Sequence, residues 1–131
     1  MRVERSSFAE EAYPRSLFRD LHCECPGLFF IALQGFQLIG YITSCMQAKQ
    51  GEIISIAVGP QWRKTGAGTA LMERTLAAMK KRRIGVIELM VRTTNASAVR
   101  FYKRFGFKRV RTLQQYYEDR APAFLMRKII R

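Results

Sequence analysis

The sequence predicts an α/β protein with an α+β mixed sheet, in which parallel and antiparallel strands occur together. Two β-like runs, 52–58 and 86–91, enclose one amphipathic helical run. A crossover of this kind makes its two strands parallel, with a right-handed connection. Two further pairs of apolar runs, one before and one after this unit, have no helical run between their members, which favours antiparallel pairing.

The first third of the chain contains one predicted helix and one predicted hairpin. Residues 14–22 form a short amphipathic run that begins with proline, which suits a first helical turn, and Pro26-Gly27 ends the run. Two apolar runs follow at 28–33 and 38–46, separated by the turn signal Gln34-Gly35. We therefore expect a β-hairpin here.

The crossover unit comes next, after a polar loop predicted at 47–51. The strand at 52–58 is rich in β-branched residues, and Gly59-Pro60 closes it. The helix predicted over 69–83 carries a single apolar stripe, and Gly85 stops it before the strand 86–91.

A second helix and two closing strands complete the predicted fold. The helix spans residues 95–105, with Asn95 suited to capping its start and Gly106 suited to ending it. The runs 107–113 and 123–129 read as strands that pair with each other in antiparallel fashion.

Length and composition narrow the class of protein. A chain of 131 residues with 48% hydrophobic residues is expected to form one domain, 1–131. No run is long enough for a membrane span and no apolar signal sequence is visible, so we expect a cytoplasmic protein without a membrane partner. Three cysteines without a CxxC pair argue against a disulfide framework or a metal site and favour reduced thiols.

The net charge of +13 concerns the partners of the protein rather than its fold. A polyanion, a small anionic cofactor or an acidic substrate would each suit it. The aromatic residues are not interleaved with basic ones as in an RNA-binding sheet, and no nucleic-acid motif is present. We therefore do not expect nucleic acid as the partner.

The most informative segment is the glycine-rich, cationic turn at residues 63–69, between the strand and the helix of the crossover unit. Unpaired amides at a helix N-terminus and the positive end of the helix dipole together favour a bound anion such as pyrophosphate. The spacing of Gly66 and Gly68 does not match a P-loop. It does not complete a dinucleotide fingerprint either, because Leu71 stands where the third glycine would be.

Three motifs in order make the chain resemble a known family. Arg63-x-x-Gly66-x-Gly68 after a strand ending in Ile56-Ala57-Val58 is similar to the acyl-coenzyme A signature of the GNAT N-acetyltransferases. The segment 89–107 is similar to that family's strand–Asn–helix–Tyr–Gly-Phe block. The tail at 116–126 resembles its protein N-terminal acetyltransferase branch, which includes RimI. The resemblance implies a GNAT fold and acetyl transfer from acetyl-CoA to an amine, most often a protein N-terminal α-amine.

The resemblance also implies which residues bind acetyl-CoA. The backbone of Ile56, Ala57 and Val58 would contact the pantetheine arm and polarise the thioester carbonyl, in a gap where this strand and the next splay apart. Asn95 and Tyr102 match cofactor-contacting residues, and Asn95 can also cap its helix. The pyrophosphate would be held by the turn, whose residues are Arg63, Lys64, Thr65, Gly66, Ala67, Gly68 and Thr69.

Three residues, two of them not yet named, are candidates for proton transfer. An amine acceptor is mostly protonated at neutral pH and needs a base. Glu52 begins the strand where several members of the family carry a glutamate base, and Glu11 matches a glutamate that lines the substrate site. RimI has its glutamate base at the position of Met90, which cannot accept a proton. Tyr102 matches the general acid that protonates the leaving thiolate.

Tyr116 and Tyr117 match tyrosines that border the peptide groove, so the resemblance implies a peptide N-terminus, such as that of a ribosomal protein, as acceptor. Residues 120–122 replace acidic residues usual in the family tail. The chain also starts near the usual first helix, so we expect the family's first strand to be missing. The strand 28–33 would then be an open edge, which a homodimer could cover.

Two other functions stay open at this stage. A GNAT enzyme could act on a small molecule or a lysine side chain, since the fold does not determine the substrate. A catalytically impaired acyl-CoA-binding or basic RNA- or ribosome-binding module is the alternative outside the enzymes.

Overall fold

The computed structural model describes residues 1–5 and 27–130. These residues form seven strands and two α-helices, with a short 3-10 turn at Pro60–Trp62. The strands are β1 (Arg2–Arg5), β2 (Gly27–Gln34), β3 (Gln37–Gln47), β4 (Gln50–Val58), β5 (Val86–Arg92), β6 (Lys108–Leu113) and β7 (Ala123–Ile129). The helices are α1 (Ala67–Lys81) and α2 (Ala96–Arg104).

All seven strands belong to one sheet, in the order β1-β2-β3-β4-β5-β7-β6. Strands β4 and β5 are parallel, and every other neighbouring pair is antiparallel. The predicted mixed sheet, its hairpin, its crossover unit and its antiparallel closing strands are therefore confirmed. The helix predicted at 14–22, Glu11 and two of the three cysteines lie outside the described residues.

The prediction that the first strand is missing is wrong. Strand β1 pairs with β2 from Arg2 opposite Leu33 to Arg5 opposite Phe30, so β2 is not an open edge. The strand escapes sequence analysis because it has only four residues, three of them charged. Short, charged strands are typical of sheet edges, where they discourage further pairing. The reason for expecting a dimer that completes the sheet is thereby removed.

Two further expectations are corrected. The polar loop at 47–51 is a two-residue turn, because Gln47 pairs directly with Gln50, and Ala48 takes a positive φ of 55° there. Alanine carries no sequence signal for a turn of this kind. Cys45, expected to be a reduced thiol, is disulfide-bonded. The odd number of cysteines excludes a fully paired framework but leaves room for one bond.

Helix α1 packs on one face of the sheet and buries its stripe there. Leu71, Met72 and Met79 are fully buried, as is Thr75, whose hydroxyl donates to the Leu71 carbonyl at 3.0 Å. At Gly51 an added Cβ would lie 2.8 Å from the Met79 sulfur, so glycine lets the helix approach β4 closely. This packing brings the start of β4 into close contact with α1.

A β-bulge interrupts β4 at Ile54. Ile53 pairs with Ser44 and Ser55 pairs with Thr43, which leaves Ile54 as the extra residue. Bulges bend a strand and increase its twist. The pairing of β4 with β5 also ends here, at Ile53 opposite Leu89, although both strands continue. The bulge therefore lies where the two parallel strands stop pairing. The unpaired stretch between them beyond this point is called the gap, and the last paired residues form its vertex.

Candidate active site

The glycine turn adopts a conformation that its sequence makes possible. Gly66 is the N-cap of α1, with φ of 89°, a region that favours glycine. No atom lies within 4 Å of where its Cβ would be, so the requirement is one of backbone conformation alone. Lys64 also has a positive φ, of 65°. The Thr65 hydroxyl donates to the Trp62 carbonyl and holds the turn to the preceding 3-10 turn.

The first backbone amides of α1 have no carbonyl partner within the helix. The first bond of the helix is donated by Ala70 to the Gly66 carbonyl at 2.9 Å. The amides of Ala67, Gly68 and Thr69 therefore precede the hydrogen-bond ladder, as at any helix N-terminus. The first turn of the helix contains no acidic residue. An anion fits this end of the helix both in hydrogen bonding and in charge.

Gly68 lies where three elements meet. An added Cβ there would be 3.5 Å from the Phe101 ring of α2 and 3.8 Å from the Val58 side chain at the end of β4. These are ordinary van der Waals distances, so the protein itself has room for alanine at this position. The absence of a side chain leaves space beside the amides, which suits a ligand that passes close to the backbone.

The outer half of β4 offers a strand edge to the gap. Ile56, Ala57 and Val58 pair with β3 on one side. On the other side β4 has no paired residue beyond Ile53. Because backbone groups of a strand alternate between its two edges, some amides and carbonyls of this segment face the gap. An extended amide-containing ligand arm can bind such an edge as an added strand does.

Two carboxylates lie at the vertex of the gap. Glu52 on β4 and Glu88 on β5 are Cα partners in the parallel pair. Glu52 is half-buried, and burial, followed by the negative charge of Glu88, raises the pKa of its carboxyl above the ordinary value. A carboxylate with a raised pKa is a stronger base than an ordinary glutamate.

Glu88 is held in place by two neighbouring side chains. Gln50 donates to its Oε1 at 2.6 Å, and Arg127 donates to Oε2 from Nε at 2.8 Å and from Nη2 at 2.6 Å. The negative charge of Glu88 is thus paired with Arg127. The surroundings of Glu52, which are its burial and the nearby charge of Glu88, disfavour the ionised form of its carboxyl. Met90 follows on the same face of β5, since side chains alternate along a strand. The face therefore offers no acid at that position.

Tyr102 lies on α2 and is 9% exposed. Its ring packs edge-on against Phe107, with centroids 6.1 Å apart, and against Phe101 at 5.5 Å. Burial, with a smaller contribution from Tyr117, raises the pKa of its hydroxyl to about 12. The group is thus a neutral donor at physiological pH. Asn95 begins the same helix, and its Oδ1 accepts from the Ala98 amide at 3.1 Å, which confirms its predicted role as a cap.

The two tyrosines of the tail lie in the loop between β6 and β7. Tyr116 and Tyr117 contact each other edge-on, with ring centroids 4.9 Å apart. The Arg92 guanidinium lies 4.2 Å from the centroid of the Tyr117 ring and donates from Nη1 to Asp119 Oδ2 at 2.8 Å. Burial raises the pKa of the Tyr117 hydroxyl, and the charge of Tyr116 adds to the effect.

The described structure thus places most of the predicted site residues around one gap. The turn 63–69 borders the helix side of the gap, and Ile56–Val58 form its open edge. Glu52 lies at its vertex, and α2 carries Tyr102. Glu11 lies outside the described residues. Sequence analysis missed Glu88, Arg92 and Asp119. The alternation of residues 88, 90 and 92 on one face of a strand was a signal for the first two.

Neither a cluster of metal ligands nor a membrane-spanning helix is found in the described part of the chain. Within residues 1–5 and 27–130, no three His, Cys, Asp or Glu side chains come together as metal ligands would. Neither helix described here has the length and apolar character needed to cross a membrane.

Comparison with known proteins agrees with this geometry. The family described as Acetyltransferase (GNAT) family matches residues 1–107. An N-alpha-acetyltransferase of Sulfurisphaera tokodaii is 35% identical over an alignment of 129 positions, with 88% of this chain and 77% of that protein covered. The structure of Ard1 from Thermoplasma volcanium superposes with a TM-score of 0.88, at 28% identity and with 99% and 97% of the two chains covered.

A bacterial structure shares the fold at lower identity. The ribosomal-protein-S18-alanine N-acetyltransferase of Escherichia coli superposes with a TM-score of 0.86 at 22% identity, covering 98% of this chain and 93% of that one. The family match over residues 1–107 agrees with two features of the structure. The seven-stranded sheet has no pairing between the outer halves of β4 and β5, and the start of α1 is suited to an anion. The chain belongs to the GNAT acetyltransferase family, and it is an acetyl-CoA-dependent enzyme that transfers an acetyl group to an amine.

Proposed function

We propose that the acceptor is the α-amine at the N-terminus of a protein or peptide. The observation that carries this proposal is Glu52, a half-buried carboxylate of raised pKa at the vertex of the gap. An α-ammonium has a pKa near 8 and a lysine ammonium one near 10.4, so a glutamate deprotonates the first far more readily. The 35% identity to an N-alpha-acetyltransferase supports the same acceptor.

Acetyl-CoA supplies the acetyl group as a thioester. The amides of Ala67, Gly68 and Thr69 would bind its pyrophosphate, with Arg63 and Lys64 exposed nearby to balance the charge. The free edge of β4 at 56–58 would bind the pantetheine arm and direct an amide at the carbonyl oxygen. Asn95 keeps its NH2 group for this ligand while its carbonyl caps α2.

Glu52 acts as the general base in this proposal. Its Oε atoms take the proton of the acceptor ammonium, directly or through one water, so that the neutral amine can attack. Met90 cannot share this task, and Glu88 is engaged by Gln50 and Arg127. Glu11 remains a second candidate from the sequence, for contact with the acceptor.

Tyr102 stabilises the leaving sulfur. Its hydroxyl, with a pKa of about 12, keeps its proton at neutral pH and can donate it as a hydrogen bond. Full proton transfer to the thiolate would be unfavourable, because a thiol with a pKa near 8.5 is a stronger acid than this hydroxyl. We therefore assign Tyr102 the role of a hydrogen-bond donor to the sulfur rather than a complete proton source.

Tyr116 and Tyr117 form one wall of the acceptor site in this proposal. A ribosomal protein is one acceptor of this kind, and the cytoplasm is the compartment in which we expect the reaction. Fractionation of cells that express a tagged chain tests the location.

The test of the acceptor is turnover with acetyl-CoA and a panel of peptides that differ in their first residue, each with one internal lysine. Mass spectrometry of the fragments locates the acetyl group. We expect it on the α-amine, and we expect peptides with a blocked N-terminus to be inert. Acetylation of the lysine alone would replace the proposal by the side-chain acetyltransferase alternative. No turnover, with salt-dependent RNA binding, would favour the non-enzymatic one.

A further inference from the structure

Arg92 connects the end of β5 to the β6–β7 loop by two side-chain contacts. Its guanidinium donates to Asp119 at 2.8 Å and lies 4.2 Å from the centre of the Tyr117 ring. A planar guanidinium can make a hydrogen bond in its plane and an aromatic contact on its face at the same time. The residue is on the outward half of β5, past the point where β4 and β5 separate.

The loop that Arg92 holds is internally ordered. The amides of Tyr116 and Tyr117 both donate to the Ala121 carbonyl at 3.2 Å, and the Arg120 amide donates to the Tyr117 carbonyl at 2.8 Å. Asp119 accepts from the Ala121 amide at 3.0 Å through the oxygen that does not contact Arg92. Asp119 therefore joins the backbone of the loop to the guanidinium.

The loop also contacts the turn that precedes α2. The Thr93 amide, in the turn that leads from β5 into α2, donates to the Pro122 carbonyl at 3.2 Å. Tyr117 also contributes, after burial, to the raised pKa of the Tyr102 hydroxyl on α2. A displacement of the loop would therefore change the electrostatic surroundings of the buried Tyr102 hydroxyl.

We propose that Arg92 is a positioning residue that fixes the β6–β7 loop, and with it Tyr117, as the acceptor-side wall of the active site. This role rests on the proposed acceptor site. Arg92 makes no bond to the acceptor in this scheme and acts through Tyr117 and Asp119. Its loss should therefore weaken acceptor use while leaving acetyl-CoA binding, which depends on α1 and β4, unchanged.

The experiment combines kinetics with hydrogen–deuterium exchange. The variants are Arg92→Met, Arg92→Lys and Asp119→Asn, with Arg82→Met at the far end of α1 as a control of equal charge change. We expect Arg92→Met to raise the KM of the best peptide of the panel by about tenfold and that of acetyl-CoA by less than about twofold. Arg92→Lys keeps a positive charge near Asp119 but loses the flat contact with the Tyr117 ring. Its KM for the peptide should therefore lie between those of the wild type and Arg92→Met.

Exchange at the amides of Tyr116, Tyr117 and Arg120 tests the contact without turnover. It should be faster in Arg92→Met and Asp119→Asn and unchanged in Arg82→Met. Unchanged exchange in both loop variants, or equal changes in the two KM values, overturns the role of Arg92. Absence of turnover in the wild-type enzyme overturns the proposed acceptor instead, while the exchange result still decides whether Arg92 holds the loop.

Discussion

Glu52 and Glu88 are Cα partners on adjacent parallel strands, one position before those strands stop pairing. The second carboxylate is held by Arg127 and Gln50, and the first is half-buried beside it. The arrangement places a paired negative charge next to an unpaired one. Such a neighbour raises the pKa of the unpaired group and makes it a better base.

The substitution Glu52→Gln tests the base directly. We expect kcat to fall by roughly a hundredfold or more, which is typical for loss of a general base, while acetyl-CoA binding stays constant. The raised pKa of Glu52 means that its ionisation costs stability, a cost that appears as the pH rises through the folded-state pKa. Glu52→Gln should therefore melt at a slightly higher temperature than the wild type at pH 7. An unchanged rate would remove Glu52 from the mechanism.

The substitution Glu88→Gln tests the neighbour. Removal of its charge lowers the pKa of Glu52, so the acid limb of the kcat/KM profile should move to lower pH. Arg127→Gln is the opposite control, because it leaves the Glu88 charge uncompensated and should move that limb to higher pH. The measurement is the pH profile of kcat/KM for both variants. Identical limbs would show that Glu52 does not titrate under the influence of Glu88.

Tyr102→Phe keeps the packed ring and removes only the hydroxyl. We expect kcat to fall by about tenfold to a hundredfold with little change in either KM, because the donor acts on the leaving sulfur. The pKa of Tyr102 rises from 10.0 to about 12 on folding, so the unfolded chain loses its proton first. Its contribution to stability is therefore complete below pH 10 and is lost as the pH rises towards 12. Tyr102→Phe should lack that alkaline loss in chemical denaturation, and a variant with wild-type kcat would exclude the donor role.

Gly66→Ala and Gly68→Ala form a matched pair that separates folding from ligand binding. Gly66 has φ of 89°, so alanine there should cost about 1 kcal/mol of stability. Gly68 lies within α1 and has ordinary contacts only, so alanine there should leave the free protein at least as stable. We expect the second variant to raise the KM of acetyl-CoA, because its methyl group occupies the space beside the amides. Thermal unfolding and the KM of acetyl-CoA check the two effects, and an unaltered KM in Gly68→Ala would argue against close passage of the ligand.

Met90→Glu can restore a base on the neighbouring strand. The residue shares the face of β5 with Glu88 and stands where RimI, by the resemblance described above, has its glutamate. In the background of Glu52→Gln, Met90→Glu should recover part of the lost kcat, and Met90→Gln should not. Equal rates for the two double variants would show that this position is out of reach of the acceptor amine.

The local elements could be predicted from the sequence because their signals are local. The glycine at 106 that ends α2, with φ of 92°, and the side chain of Asn95 that caps it both act within a few residues. The same is true of the glycine turn before α1. Each follows from backbone conformation and hydrogen bonding that any single sequence displays.

The contacts that complete the site could not be predicted because they join residues far apart in the chain. Glu88 and Arg127 are 39 residues apart, and Arg92 and Asp119 are 27 apart. These pairs depend on the register between β5 and β7 and on the course of the β6–β7 loop. The strand β1 was missed for a different reason, since its stability comes from pairing with β2 and not from its own charged residues.

The inserted residue Ile54 has a consequence for which sequence changes β4 can accept during evolution. Glu52 and Ser55 are three positions apart, yet they point to the same face, because they pair with Cys45 and Thr43, which are two apart on β3. In a regular strand, residues with odd spacing point to opposite faces. The bulge thus divides β4 into two segments, each with its own alternation of side chains between the two faces of the sheet. The first segment positions the Glu52 carboxylate at the vertex, and the second positions the edge at 56–58. Deletion of Ile54 would turn the side chains of one segment to the opposite face relative to the other segment. Substitutions in one segment, in contrast, leave the orientation of the other segment unchanged.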